Sequence, residues 1–275
     1  MKQSRRWFGI AVLAMAASVA IGLFRRSPAR PLRGVDRLEV ETPSGGSTSY
    51  LQSGTSGAPR ILYIHGSPGD AKGWKSYLID PIHGYESISV DRIGFGMTRL
   101  SSPEPSLKAQ AAAIAPLLEK VGAHWPIVVG HSLGATIACR LAADFPDRVR
   151  GLVLVSNAID PDLERPKWYN RIAEFGFVPR ILPRDLVISN RELLPLHSEL
   201  AALTPLLARI TCAVAIVHGE KDWLTPIANA AYAKARLTGA EALIEHIEPQ
   251  ESHFVIWTRP ELIRQTIGEI AEATE

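Results

Sequence analysis

Cysteine is nearly absent: with only Cys139 and Cys212 in 275 residues, a disulfide-stapled scaffold is excluded, and neither residue stands at a metal-ligand spacing. Both read as small buried hydrophobes. A dominant charge of one sign is also missing. The formal net charge is +2, and part of that small excess comes from arginines near the N-terminus, so no basic face marks a nucleic-acid partner. No internal repeat is visible, which excludes a solenoid. What the chain has is apolar content. At 46% hydrophobic residues it can bury one large α/β core with a small insertion.

The one long uncharged apolar run covers residues 7–24, WFGIAVLAMAASVAIGLF, bracketed by Lys2, Arg5 and Arg6 before it and Arg25 and Arg26 after it. At about 1.5 Å per residue it approaches the hydrocarbon thickness of a bilayer. Residues 1–26 are therefore expected to be a membrane anchor, which would make the membrane a partner of this helix. Two other readings stay open: a cleaved export signal, with Ser18-Val19-Ala20 as the small-x-small site, and a buried helix. Arginines at 25, 26, 30, 33 and 37 outnumber the basic residues before the run and argue for a cytoplasmic body; Ser4-Arg5-Arg6-Trp7-Phe8, similar to a twin-arginine signal, argues for an exported, periplasmic one. Residues 27–35, with proline, glycine and arginine but no apolar period, read as a linker.

The folded domain is expected over residues 36–275. Residues 38–42 and 48–52 read as a hairpin around Pro43-Ser44-Gly45-Gly46-Ser47. From residue 61 onward short strand candidates at 61–64, 87–90, 127–129, 151–155, 213–217 and 242–247 alternate with helical patterns, the grammar of a mostly parallel, doubly wound sheet. The interval 157–209 breaks that rhythm. It is rich in proline yet holds helical apolar patterns around 168–177 and 193–207, so it reads as a helical cap inserted between late strands.

The chain is organised around Gly130-His131-Ser132-Leu133-Gly134. An apolar run breaks into Gly-x-Ser-x-Gly and resumes as a helix, the pattern of a nucleophile elbow. The turn forces Ser132 clear of its neighbours, and the glycines let strand and helix approach closely. The Leu133 N–H then lies at a helix N-terminus, where it favours a developing oxyanion.

A serine nucleophile needs a base and a carboxylate to orient it, and in parallel sheets these belong in loops beyond the carboxyl ends of strands. Asp222, in His218-Gly219-Glu220-Lys221-Asp222, follows the run 213–217; Asp160, one strand earlier, is the rival. Chain order, serine then acid then histidine, favours Asp222. Of eight histidines, His253 in Pro249-Gln250-Glu251-Ser252-His253-Phe254 follows the last strand and is the base candidate. His65, His131 and His218 read as wall residues, while His83, His124, His197 and His246 lack supporting context. A second oxyanion donor is expected from the backbone N–H of Ser67 in His65-Gly66-Ser67. Asp91 and Arg92 read as residues that fix their own loop.

Together these segments resemble the α/β-hydrolase superfamily, in its capped serine esterase- and lipase-like branch, from about residue 38 to 273. His65-Gly66-Ser67-Pro68-Gly69 is similar to the oxyanion loop, Gly130 to Gly134 to the elbow, and His218-Gly219-x-x-Asp222 and Ser252-His253-Phe254 to the acid and base loops. Asp91-Arg92-Ile93-Gly94-Phe95-Gly96-Met97-Thr98 is similar to the Asp-Arg-x-Gly-x-Gly-x-Ser segment, with Thr98 where serine is usual. The resemblance implies an α/β-hydrolase fold and hydrolysis of a small-molecule ester through an acyl-enzyme, with Ser132, Asp222 and His253 catalytic, Ser67 and Leu133 binding the oxyanion, and no metal or organic cofactor required. Trp168, Phe175, Phe177 and the leucines of 193–207 suggest a cap that lines an apolar substrate pocket. A carbon–carbon bond hydrolase, a peptidase and a non-catalytic binding protein share the fold as alternatives. The oligomeric state is left open.

Overall fold

The computed structural model describes residues 31–99 and 106–275, so the expected membrane segment 1–26 and the first four residues of the linker lie outside the described residues. Among the described residues no helix is long and apolar enough to cross a membrane.

Eight strands form one sheet: β1 (Asp36–Glu41), β2 (Ser47–Gly54), β3 (Arg60–Ile64), β4 (Glu86–Val90), β5 (Ile127–His131), β6 (Gly151–Val155), β7 (Ala213–Gly219) and β8 (Leu243–Glu248). Their order is β1-β2-β4-β3-β5-β6-β7-β8. The first two strands pair antiparallel as the expected hairpin, β2 also runs antiparallel to β4, and every later pairing is parallel. Parallel strands need crossovers, and the crossovers cover both faces; that is why β4 to β7 are buried at every position and why β5, β6 and β7 open on apolar runs, while β4 buries Glu86, Ser87 and Ser89 among its apolar residues.

The helices are α1 (Lys75–Ile79), α2 (Leu107–Ile114), α3 (Leu133–Asp144), α4 (Trp168–Ala173), α5 (Val178–Ile181), α6 (Arg184–Leu193), α7 (Leu196–Leu203), α8 (Ala228–Arg236), α9 (Val255–Thr258) and α10 (Pro260–Ala273). One face of the sheet packs on α2, α3 and α8, with Ile137, Leu141, Val128 and Leu154 fully buried. The other face packs on α10 and on a cluster of Tyr63, Trp74 and Tyr77. Each such aliphatic side chain contributes about 1.5–3 kcal/mol on burial. The sequence reads a helix across 107–121; the structure ends α2 at Ile114 and tightens into a 3-10 turn at Ala115–Leu117, because Pro116 lacks the N–H the helix would need.

The interval 157–209 holds α4 to α7 and a 3-10 turn at Thr204–Arg209. Leu196, Leu200, Leu203 and Leu207 are buried in the same cluster as α3, so the second half of the interval packs on the body of the protein. The first half is different: Trp168, Phe175, Phe177 and Ile181 are exposed.

Candidate active site

At the carboxyl end of β5 the backbone of Ser132 takes φ 56° and ψ −128°, a conformation that L residues with side chains rarely adopt. The turn is tight because glycine stands on both sides of it. A Cβ at Gly130 would lie 2.4 Å from the Gly134 carbonyl oxygen, and one at Gly134 would lie 2.3 Å from the carbonyl oxygen of Ile64 on β3. Strand, turn and helix thus approach more closely than any side chain permits. Ser132 N–H bonds to the Val155 carbonyl at 2.9 Å, extending the β5–β6 ladder through the turn. The Ser132 side chain makes no capping bond to α3, which leaves the hydroxyl available. Leu133, first residue of α3, carries an N–H with no partner inside the helix.

The loops after β7 and β8 meet. Asp222 Oδ2 lies 2.8 Å from Nδ1 of His253, and both residues are buried. Oδ1 of the same carboxylate accepts the N–H groups of Leu224 (3.0 Å) and Thr225 (2.9 Å). The Thr225 hydroxyl donates to Oδ2 at 2.8 Å. Burial pushes the Asp222 carboxyl up, but its bonds and charge contact with His253 and the Thr225 bonds outweigh this and hold it below the ordinary carboxylate value. An ionised carboxylate only accepts, so Nδ1 of His253 carries the proton and Nε2 is left with its lone pair. His253 is also fixed to the elbow: Nε2 of His131 bonds its carbonyl oxygen at 2.9 Å, and the two rings stand 4.8 Å apart. Burial, with the His253 ring beside it, drives the His131 pKa down to about 3, so His131 is neutral and serves as a wall. His218 is held by a bond from Nε2 to the Thr225 carbonyl at 2.8 Å.

The loop after β3 lies against the elbow, since a Cβ on Gly66 would sit 2.9 Å from the Cβ of Ser132. Ser67 follows, and its hydroxyl donates to Glu192 Oε2 at 2.5 Å. Glu192, on α6, is buried and also receives Arg92 twice, at 2.5 and 3.1 Å, and Gln110 Nε2 at 2.9 Å. Arg92 in turn donates to the Gly66 carbonyl at 3.0 Å, and its N–H to Nε2 of His65 at 3.1 Å. His65 therefore protonates Nδ1, which donates to the Gly66 carbonyl at 2.7 Å. Burial and the Arg92 charge hold His65 well below its ordinary pKa. Asp91 braces the neighbouring loop through the N–H groups of Ala71 (2.8 Å) and Met97 (3.0 Å) and through Arg37 (2.5 Å), and Thr98 bonds its carbonyl, so the threonine does the work of a serine hydroxyl.

The structure thus gathers Ser67, Ser132, Leu133, Asp222 and His253 at one end of the sheet. Asp160, the rival acid, instead accepts the N–H of Asp162 at 2.9 Å and closes its own turn. Within the cap the apolar residues divide: Trp168 (74% exposed), Phe175 (79%) and Phe177 (67%) face outward, while Leu196, Leu200, Leu203 and Leu207 serve the core. These positions were legible as apolar, but periodicity does not say whether an apolar face meets a pocket, a core or solvent. Sequence reasoning missed Thr225, Glu192 and Gln110. Thr225 had a weak signal, a hydroxyl three residues after an acid in a strand-end loop; Glu192 had none. Glu164 was missed too, a carboxyl near His253 and Asp222 that burial pushes up to about 7 against an opposing bond from Asn229. Among the described residues no group of three His, Cys, Asp or Glu side chains could hold a metal ion.

Comparison with known proteins agrees with this architecture. The family model described as the alpha/beta hydrolase fold matches residues 59–184. The chain is 34% identical over 108 residues to the dihydrolipoyllysine-residue acetyltransferase component of the acetoin cleaving system of Cupriavidus necator, covering 39% of this chain and 28% of that one. It is 36% identical over 120 residues to an esterase of Mycobacterium tuberculosis, covering 42% and 39%. The matches thus span two fifths or less of the length of these curated relatives. A thermophilic esterase from Thermogutta terrifontis superposes with a TM-score of 0.63 at 19% identity over 87% of this chain and 100% of that one, a likeness of fold.

Proposed function

We propose that this chain, a member of the α/β-hydrolase superfamily, is a serine hydrolase that cleaves a carboxylic ester through an acyl-enzyme on Ser132. The observation that carries the reading is the strained, uncapped Ser132 beside a loop pair in which Asp222 fixes the tautomer of His253. The similarity to an esterase supports the choice of bond.

In the first half-reaction the Ser132 oxygen attacks the ester carbonyl while its proton passes to Nε2 of His253. The carbonyl oxygen becomes an oxyanion facing the N–H groups of Leu133 and Ser67. Collapse breaks the bond to the alcohol, which leaves with the proton from Nε2. Water then repeats the sequence: it gives a proton to Nε2, attacks the acyl carbon, and releases the acid as Ser132 regains its proton. Asp222 keeps its charge throughout and stabilises the imidazolium at 2.8 Å. The test is turnover of p-nitrophenyl esters of short and medium chain, together with labelling by a fluorophosphonate. The wild-type chain is expected to do both and Ser132→Ala neither; a wild-type chain inert to both reagents ends the proposal.

The location proposed is the exported side of a membrane, with residues 7–24 as the anchor, resting on the apolar run and the twin arginine. Fractionation of the full chain and of one lacking residues 1–26 tests it: the first should sediment with membranes and the second should not.

A further inference from the structure

Away from Ser132, between the first half of the cap and the loop after β4, lies a cavity of about 680 Å³ that none of Ser132, Asp222 or His253 lines. Among the described residues three arginines, Arg180, Arg184 and Arg191, stand in its wall with a single carboxylate, Glu174. Glu174 takes one of them, with Oε2 3.2 Å from Nε of Arg191. Arg180 reaches only the Gly176 carbonyl, at 3.4 Å, and among the described residues Arg184 has no ion-pair partner. Among the described residues the wall therefore carries net positive charge, and the rest of it is mostly apolar, with Val187 and Ile188. A guanidinium cluster of this kind matches a phosphate ester, which accepts several N–H bonds at once.

The rim says where the phosphate comes from. Gly176, in the cavity wall, lies between Phe175 and Phe177, which are 79% and 67% exposed, and Ile181, next to Arg180, is 69% exposed. Trp168 and Ile172 on the neighbouring α4 are exposed too, at 74% and 51%. Large apolar side chains grouped in water beside uncompensated arginines are the surface of a protein that sits on lipid: rings and aliphatic chains enter the acyl boundary while cations meet headgroups. Inorganic phosphate would satisfy the arginines and leave the aromatic rim wet.

We propose that the cap docks on a bilayer through this face, with the headgroup of an anionic phospholipid in the arginine cavity and Phe175, Phe177 and Ile181 in the acyl boundary. The site acts whether or not Ser132 hydrolyses esters, so the two readings fail separately.

The experiment follows hydrogen exchange over residues 171–191 of the full chain held in phosphatidylcholine bicelles, before and after part of the lipid is replaced by phosphatidylglycerol. Exchange should slow with phosphatidylglycerol alone, and the effect should weaken as salt rises. Arg180→Ala and Arg184→Ala should each reduce the apparent affinity for phosphatidylglycerol roughly fivefold, Arg184→Lys should keep most of it, and Phe175→Ser with Phe177→Ser should lose it at unchanged arginine content. Equal exchange with both lipids overturns the proposal. So does the same slowing from inorganic phosphate, which would make this a soluble-anion site, and so does protection that needs no anionic lipid and vanishes when residues 1–30 are removed, which would mean that the chain's own apolar run covers the face.

Discussion

The Glu192 carboxylate lies bidentate on the Arg92 guanidinium, at 2.5 and 3.1 Å, with 3% and 0% of the two side chains exposed. One partner comes from the cap and the other from the loop after β4, and the same carboxylate holds Ser67 beside the elbow. Removing one member of a buried pair strands the other. Glu192→Ala is expected to cost about 3–5 kcal/mol, read as a lowered urea midpoint at unchanged slope. Glu192→Gln keeps the shape and one acceptor and should cost less. A Glu192→Ala chain as stable as the wild type would show that Arg92 finds water instead.

Asp222 acts on His253 through a proton at Nδ1. In Asp222→Asn the amide can present an N–H to that nitrogen, favouring the tautomer with the proton on Nε2, where the base must be free. On the proposed mechanism kcat should fall by about three to four orders of magnitude with the fold intact. Thr225→Val removes one bond to Oδ2 and should cost roughly tenfold. Ester turnover with circular dichroism separates chemistry from unfolding; near-wild-type turnover by Asp222→Asn would remove Asp222 from the reaction.

Two glycines should respond oppositely to alanine. A Cβ at Gly134 meets the backbone oxygens of Ile64 at 2.3 Å and His65 at 2.5 Å, neither of which can swing away. Gly134→Ala is expected to destabilise by roughly 2 kcal/mol or more and to displace the Leu133 N–H. Gly268, inside α10, has nothing within 4 Å of its Cβ position. Gly268→Ala should stabilise by about 0.5–1 kcal/mol. Thermal melts of the two variants decide both claims, and a shift of the same sign in each would refute the steric account.

Glu164 sets a pH dependence. Burial raises its carboxyl to about 7 from an ordinary 4.5, against the opposing Asn229 bond and the Lys167 charge, while Asp222 adds to the rise. Between those values the native chain keeps a proton that the unfolded chain has released, so this group's contribution to stability falls as pH rises through the window. Glu164→Gln should remove that part of the slope. Denaturation midpoints across the window test it, and parallel profiles for the two chains would contradict it.

The strand grammar, the elbow and the loops bearing Asp222, His253 and Ser67 were legible in the sequence because they are local: a buried parallel strand is an unbroken apolar run, and its functional loop must follow directly. Gly130 and Gly134 announced the close approach that the structure shows. Glu192 and Gln110 act through partners dozens of residues away and Glu164 through burial, and no local pattern encodes which loops meet; Thr225, three residues after its acid, left only a weak signal. The cap makes the same division. Its apolar residues could be read one by one, yet only the tertiary packing decided that Leu196 to Leu207 join the core while Trp168, Phe175 and Phe177 face outward, since helical periodicity fixes the side of a helix and not what lies against it.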